Sequence, residues 1–310
     1  MNKNIHKTSI GGQAVMEGVM MRGPKSYAVA VRKPGGEIII DTKQLPNKNK
    51  NWFTKLPIVR GCINFVQSLV LGTKTLMYSA EFVDLEEDEP SKFDKWLEDK
   101  LGDKIKDVVI YVSVVLSLFL SIGLFILLPT WIVGFTKSFI QSSVLKSLLE
   151  GVTRIVIFLV YLWAVSKMND IKRVFQYHGA EHKTIACYEA GLELTPENAK
   201  KMTRLHPRCG TSFLLIVMVV SIIFFSFLRW DNVFIRSITR IALLPVVAGI
   251  SYEIIKLAGK YDNLITKIIS YPGLCLQKIT TNEPDDSQLE VAIASMKAVL
   301  TDNPEEDKWQ

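Results

Sequence analysis

Histidine chemistry is concentrated in one stretch of this chain. Three of the four histidines lie between positions 178 and 206. On a helix, His178 and His182 would project from the same face, one turn apart, with Glu181 beside them. This His-x-x-Glu-His order suits a divalent metal held by two imidazoles, with the carboxylate acting as a base toward water. We therefore predict a divalent metal site, with zinc as the first choice and Glu181 as the catalytic residue.

A second group of potential ligands follows in a compact loop. His206 precedes a proline, and Cys209 follows across a Pro-Arg-Cys-Gly turn. The predicted metal ligands are therefore His178, His182, His206 and Cys209. The competing interpretation is a helix with two partly buried histidines that bind no metal and are bonded to backbone groups or carboxylates, because the short motif also arises by chance. The sequence leaves open whether His206, Cys209 or the more distant Glu253 is the third ligand. The accessory candidates are Glu17, Arg22, Glu189 and Glu253.

The composition indicates a membrane protein with sizeable polar parts. The chain has 310 residues, of which 48% are hydrophobic and 22% are charged, and its mean hydropathy is +0.21. Four cysteines without short paired spacing do not indicate a disulfide framework. The N-terminus lacks an apolar core behind its charges, so no cleaved signal peptide is expected. Lysines that flank apolar segments explain the net charge of +6, so no nucleic-acid partner is expected.

Four apolar segments are predicted to cross the bilayer. Residues 1–107 carry 17 Lys and Arg, the 167–212 loop carries 8 and the tail from 256 carries 6. The positive-inside rule then predicts that the N-terminus, the His-rich loop and the C-terminus all lie in the cytoplasm, in a multi-pass protein of the cytoplasmic membrane. The predicted spans are Val108 to Phe135, Val152 to Val165, Phe213 to Leu228 and about Ile238 to Leu257.

The predicted fold is an α+β integral membrane protein. Around the Pro-Gly-Gly turn, Tyr27 to Arg32 and Glu37 to Ile40 are expected to form a hairpin. In the His-rich loop, Gly191 is a predicted helix C-cap, and Thr195-Pro196-Glu197 begins a second helix. The predicted organisation is a small β-rich cytoplasmic unit (1–56), an amphipathic helix and acidic linker (57–107), transmembrane helices 1–2 (108–166), the metal-site loop (167–212), transmembrane helices 3–4 (213–258) and a cytoplasmic tail (259–310). Whether the helix at 57–83 lies at the interface or spans the membrane stays open.

Three long motifs carry a resemblance to a known family. They are Gly12-Gln-Ala-Val-Met-Glu-Gly-Val-Met-Met-Arg22, Tyr177-His-Gly-Ala-Glu-His-Lys183 and His206-Pro-Arg-Cys-Gly-Thr211. The chain resembles the bacterial YqhQ-type family, of unknown function and usually labelled a predicted metal-dependent enzyme, from about residue 8 to 290. The resemblance implies a metal and a bacterial membrane location, but no substrate.

Three function classes remain open from the sequence. The first is a membrane metal-dependent hydrolase acting at the cytoplasmic face, on a lipid-linked or membrane-peptide substrate. The second is a scaffold with a closed structural zinc site, and the third is a transporter that uses Glu253 inside the last span. A nucleophilic Cys209 with a histidine base is a further variant of the enzyme class. The bilayer is the expected partner, and the sequence allows a homo-oligomer.

Overall fold

The computed structural model describes residues 6–45, 52–83, 105–227, 233–261, 263–301 and 303–309. Most of the predicted acidic linker lies outside these ranges. The chain divides into two compact units. One contains residues 1–83, 162–224 and 230–310, and the other contains residues 84–161 and 225–229.

The first unit begins with a four-stranded antiparallel sheet in the order β1-β2-β3-β4. The predicted hairpin is confirmed, with Val31 paired to Ile39 and Gly36 in the left-handed region of the turn (φ 88°). The central strands β2 and β3 are nearly continuous apolar runs, so side chains on both faces of the sheet can be buried. The strands are β1 (Gly11–Val15), β2 (Gly18–Arg22), β3 (Ser26–Arg32) and β4 (Ile38–Gln44).

Helices account for most of the remaining described chain. The first helix lies inside the predicted 57–83 segment. The helix end predicted at Gly191 and the helix start predicted at Thr195 are both confirmed. Thr195 caps the short helix through the Asn198 N–H, and Gly191 has φ 67° just after the preceding helix. The helices are α1 (Val59–Ala80), α2 (Ile105–Ile122), α3 (Leu128–Gly134), α4 (Ser143–Val165), α5 (Asn169–Glu189), α6 (Pro196–Lys200), α7 (Gly210–Ser226), α8 (Val233–Lys260), α9 (Leu264–Thr280) and α10 (Asp286–Lys297).

The sheet packs against helices on both faces. On one face Met21 of β2 joins Tyr177 of α5 and Met296 of α10 in a buried apolar cluster. On the other face Met20 belongs to a smaller cluster that Leu71 and other α1 residues complete. Elements from the two ends of the sequence therefore share one core, and this core supports α5.

Three helical segments are long and apolar enough to cross a membrane: Val115–Gly134, Val144–Val165 and Ile238–Lys260. The α7 helix is a shorter apolar segment. These helices support the assignment to the membrane proteins, and three of the four predicted spans meet the length and hydropathy criteria.

The first of these segments contains a π-helical turn between α2 and α3, at Gly123–Leu127. Pro129 has no backbone N–H, so it cannot bond the carbonyl of Phe125. That carbonyl instead accepts a 2.9 Å hydrogen bond from Nε of Arg154. The Arg154 guanidinium also pairs with the buried Glu150 of α4. Within its own unit this arginine is therefore bonded to protein rather than extended toward the membrane surface.

Candidate metal centre

The α5 helix brings two of the predicted ligands together with Cys209. The ligand atoms of His178, His182 and Cys209 all lie within 4.8 Å of one another. The two imidazole centroids are 4.4 Å apart, as expected for residues one helical turn apart. His182 is 1% exposed and Cys209 is 9% exposed, whereas His178 is half-buried, so two of the three residues are shielded from bulk solvent.

Backbone carbonyls orient both imidazoles. Nδ1 of His178 lies 2.8 Å from the Thr280 carbonyl oxygen, and Nδ1 of His182 lies 2.6 Å from that of Arg204. A carbonyl only accepts, so each Nδ1 carries a proton and Nε2 is the ring nitrogen that remains to face a metal. Nε2 of His178 is 3.2 Å from Sγ of Cys209. This is the orientation that metal-binding histidines require.

Charges in the cluster favour the metal-binding form of the cysteine. Burial alone would raise the pKa of the Cys209 thiol, but His178 and His182 hold it well below its ordinary value. Burial alone would lower the pKa of His178, but the Cys209 sulfur reverses this and raises that pKa to about 9. Cys209 is therefore disposed to be a thiolate, the form that binds metal. Without a metal His178 is therefore held as an imidazolium, and a metal would have to displace its Nε2 proton. Two neutral imidazoles and one thiolate would then form a donor set that fits zinc and leaves one position open.

Glu181 lies beside the cluster and outside the group of three ligand atoms. Its side chain is 5% exposed, and its Oε1 accepts a 2.9 Å hydrogen bond from the Gly12 N–H. Burial raises the pKa of Glu181, against the lowering influence of the two histidines. A β-carbon at Gly12 would lie 2.5 Å from the Met20 carbonyl oxygen. It would also lie 3.1 Å from Cδ of Glu181, so a side chain at this position would crowd both β2 and the carboxylate.

His206 lies beside the cluster, but its Nε2 is directed elsewhere. The His206 ring centroid is 5.6 Å from that of His182. Its Nε2 accepts a hydrogen bond from Arg208 at 3.2 Å and lies 3.7 Å from a carboxylate oxygen of Glu189. Burial lowers the pKa of His206, and the Arg208 charge adds to this effect. Glu189 also pairs with Arg208 and accepts a hydrogen bond from the Thr8 N–H. It therefore holds the loop that carries His206 and Arg208 in place.

Like Glu189, two further accessory candidates, Glu17 and Glu253, are engaged in ion pairs. Glu17 pairs with Arg173 of α5 and accepts a 3.3 Å hydrogen bond from the Tyr177 hydroxyl. Glu253 of α8 pairs with Arg60 of α1, with Nε donating at 2.6 Å. Neither carboxylate belongs to the histidine and cysteine cluster.

The cluster borders a cavity of about 640 Å³. Arg22, the fourth accessory candidate, lines this cavity together with His182 and Cys209. Residues that no sequence motif marked also line it, among them Tyr252 and Lys256 near the end of α8. The β-sheet motif and the His-rich loop therefore contribute to the same cavity.

Several positioning groups could not be identified from the sequence. The carbonyls of Thr280 and Arg204 act through the backbone, so residue type carries no signal for them. The Gly12 N–H lies 169 positions from Glu181, and only its place in a glycine-bounded motif hinted at a role.

The fold and the cluster together define a class: a membrane protein that carries a buried His₂Cys group against a small antiparallel sheet. Residues 56–302 match the family described as "Protein of unknown function (DUF1385)". The chain is 38% identical over 304 residues to the "Uncharacterized protein YqhQ" of Bacillus subtilis (strain 168), covering 97% of this chain and 95% of that protein. The chain therefore belongs to the DUF1385 family. No solved structure matches it.

Proposed function

We propose that this protein is a membrane metal-dependent hydrolase, with zinc held by His178, His182 and Cys209. The observation that carries the proposal is the orientation of the two imidazoles. Each Nδ1 donates to a backbone carbonyl, so Nε2 is the ring nitrogen that each histidine would offer to a metal near the Cys209 sulfur. A bound zinc would supply Lewis acidity and lower the pKa of a coordinated water.

Glu181 is proposed as the general base. Its carboxylate borders the cavity, and the Gly12 N–H fixes one of its oxygens. The second oxygen is left to accept a proton from water. The raised pKa of Glu181 also suits the return of that proton to a leaving group.

Three protein ligands favour a catalytic site over a closed structural zinc site. A closed site would require a fourth protein ligand, and His206 is the nearest candidate. The His206 Nε2 is already bonded to Arg208. A scaffold role would therefore require this bond to break and the ring to turn toward the cluster.

The proposed location is the bacterial cytoplasmic membrane. We propose four spans, with α7 as the third, and a cytoplasmic N-terminus, His-rich loop and C-terminus. The distribution of Lys and Arg along the chain supports this orientation. The proposed partner is the lipid bilayer, and a homo-oligomer is compatible with the proposal. A transporter that uses Glu253 would have to release that carboxylate from Arg60.

The hydrolase is tested by turnover of the detergent-purified full chain against a panel of carboxylic and phosphoric ester lipids. We expect activity that a chelator removes and added zinc restores. Glu181→Gln should lose at least about a hundredfold in kcat while retaining its metal. Glu17→Gln is the matched control, because Glu17 belongs to the Arg173 ion pair, and it should keep the activity. Undiminished activity in Glu181→Gln would contradict the role of this carboxylate.

The 3.2 Å contact between His178 Nε2 and Cys209 Sγ also favours a second candidate, a metal-free cysteine hydrolase. In that case Cys209 would attack the carbonyl of an ester and form a thioester as the alcohol leaves with the proton that His178 supplies. Water would then hydrolyse the thioester to the carboxylic acid and restore the thiol. The two candidates differ in their response to chelator. A metal-free nucleophile would keep its activity in chelator and lose it to iodoacetamide, whereas the zinc enzyme would be protected from alkylation by its metal.

A further inference from the structure

The cavity beside the cluster contains an arginine without a protein partner. Within the described part of the chain the Arg22 guanidinium donates no hydrogen bond and forms no ion pair, and its electrostatic neighbour is the phenol of Tyr252. Its position at the end of β2 leaves it partly buried, and this burial lowers its pKa. Each other arginine whose side chain is described has a partner: Arg32, Arg60, Arg154, Arg173, Arg204, Arg208 and Arg240.

The charges on the cavity wall leave a positive excess around Arg22. The cation of Arg208 is balanced by Glu189, outside the set of lining residues. Of the two lining carboxylates, Glu306 pairs with Lys25 and Glu181 accepts from Gly12. Lys256, one helical turn after Tyr252, also lines the wall and interacts with Glu253, which pairs with Arg60 as well, so two cations share one carboxylate there. The lining Lys308 is balanced by Glu305. A partly buried guanidinium with no carboxylate is costly and indicates an anionic ligand.

Another part of the cavity wall is formed by two helices with lipid-compatible outer surfaces. Leu71 of α1 and Ile255 of α8 line the cavity beside polar residues of the same helices, such as Asn64. On their outer surfaces these helices expose large apolar side chains, such as Leu69 and Leu257. The segment Ile238–Lys260 is itself a candidate span. The cavity is thus bordered by a candidate membrane helix, and the wall on that side combines apolar and polar side chains.

We propose that the cavity binds a membrane amphiphile with a phosphomonoester head group, which Arg22 and Lys256 hold beside the cluster. A doubly charged phosphate suits two cationic side chains better than a single carboxylate does. A volume of about 640 Å³ accepts the head group and the first part of an apolar chain. This inference deepens the proposed function and rests on it for the reaction, whereas the binding itself does not depend on turnover.

The reaction that follows is hydrolysis of the phosphomonoester. The oxygen of water forms a new bond to phosphorus while the bond from phosphorus to the ester oxygen breaks. Glu181 takes one proton from the water and delivers it to the departing alkoxide. The products are the lipid alcohol and inorganic phosphate, so the atoms balance without any further reactant.

Binding is measured on the zinc-loaded full chain with the Glu181→Gln substitution, which blocks turnover. The probes are dioleoyl phosphatidic acid and dioleoyl phosphatidylcholine in dodecylmaltoside micelles, and inorganic phosphate. We expect phosphatidic acid to bind at least about tenfold more tightly than either of the others. Arg22→Gln and Lys256→Gln should each weaken its binding by about tenfold, and Arg22→Lys should restore part of the loss. Lys43→Gln, on the exposed β4 strand, is the control and should have no effect.

Equal binding of phosphatidic acid and phosphatidylcholine, or normal binding by both charge variants, would overturn the anion site. Equal binding of inorganic phosphate would overturn the requirement for a lipid chain. Selective binding without phosphate release by the unsubstituted enzyme would support this ligand and count against the hydrolase. Hydrolysis of another ester class, without binding of phosphatidic acid, would support the hydrolase and overturn this ligand.

Discussion

At the scale of single residues, the ligand set is distinguished by what each side chain already bonds. His178 and His182 direct Nδ1 to backbone carbonyls, and Nε2 of His178 contacts the Cys209 sulfur, whereas His206 uses Nε2 to accept from Arg208. The sequence placed all three histidines and Cys209 in one ligand set. It could not show which ring nitrogen was occupied, because the bonding groups are backbone carbonyls and a neighbouring guanidinium.

The burial of Glu181 gives a prediction about stability. Its folded-state pKa is raised above the ordinary glutamate value of 4.5. Ionisation of Glu181 therefore lowers the free energy of unfolding, and the decrease grows as the pH rises above the ordinary glutamate pKa toward neutrality. In chelator at pH 7, Glu181→Gln should raise the apparent Tm by roughly 2–4 °C if the charge costs about 1 kcal/mol.

Thermal unfolding at several pH values checks this prediction. The difference between Glu181→Gln and the unsubstituted protein should disappear near pH 4, where both side chains are neutral. It should also shrink when zinc is added, because a cation favours the ionised carboxylate. A lower Tm for Glu181→Gln at pH 7 in chelator would mean that burial of Glu181 carries no such cost.

At the scale of elements, α5 is predictable in part. Its periodicity placed His178 and His182 on an inward stripe, and Gly191 and Thr195 marked the turn that follows. From Tyr177 onward, however, residues on every side of the helix are buried. The stripe could not predict this, because the packing partners come from β1 and from the segment after α9, which are distant in sequence.

Gly179 provides the test at this scale. A β-carbon there would lie 2.0 Å from the backbone carbonyl oxygen of Asn282. Gly179→Ala should therefore push α5 away from the chain that carries the Thr280 carbonyl, at a cost of about 1–3 kcal/mol. It should lower both the apparent Tm and the affinity for zinc, as measured by thermal unfolding and metal titration. In Gly134→Ala the β-carbon meets nothing within 4 Å, so this control should leave both unchanged or slightly raise the Tm.

At the scale of the whole molecule, the sequence predicted the β-rich start and the apolar segments but not the joining of the chain ends. Thr8 forms a bridge with Lys308, and the Trp309 N–H donates to the Lys7 carbonyl. The α10 helix has an ordinary amphipathic pattern, which predicts that one face is buried but does not identify the element that covers this face. Its packing against β2 and β3, more than 250 positions away, is a property of the folded chain alone.

The proposed orientation in the membrane is tested by cysteine labelling. In a background without the native cysteines, Lys43→Cys and Glu197→Cys place single thiols on the β4 strand and in the His-rich loop. A membrane-impermeant maleimide should leave both unlabelled in intact cells and label both in inverted vesicles. Labelling of Glu197→Cys from outside the cell would reverse the proposed side of the metal centre.

Zinc stoichiometry of the detergent-purified protein tests the central claim most directly. It should be measured by elemental analysis, after purification without chelators, for the unsubstituted chain and for Cys209→Ser and Cys187→Ser. Cys187 is the matched control, because it is also a buried cysteine but lies outside the cluster, on α5, with the Glu193 carbonyl as its hydrogen-bond partner. The account predicts about one zinc per chain in the unsubstituted protein and in Cys187→Ser, and little or none in Cys209→Ser. Absence of metal from the unsubstituted protein, or full zinc in Cys209→Ser, would contradict it.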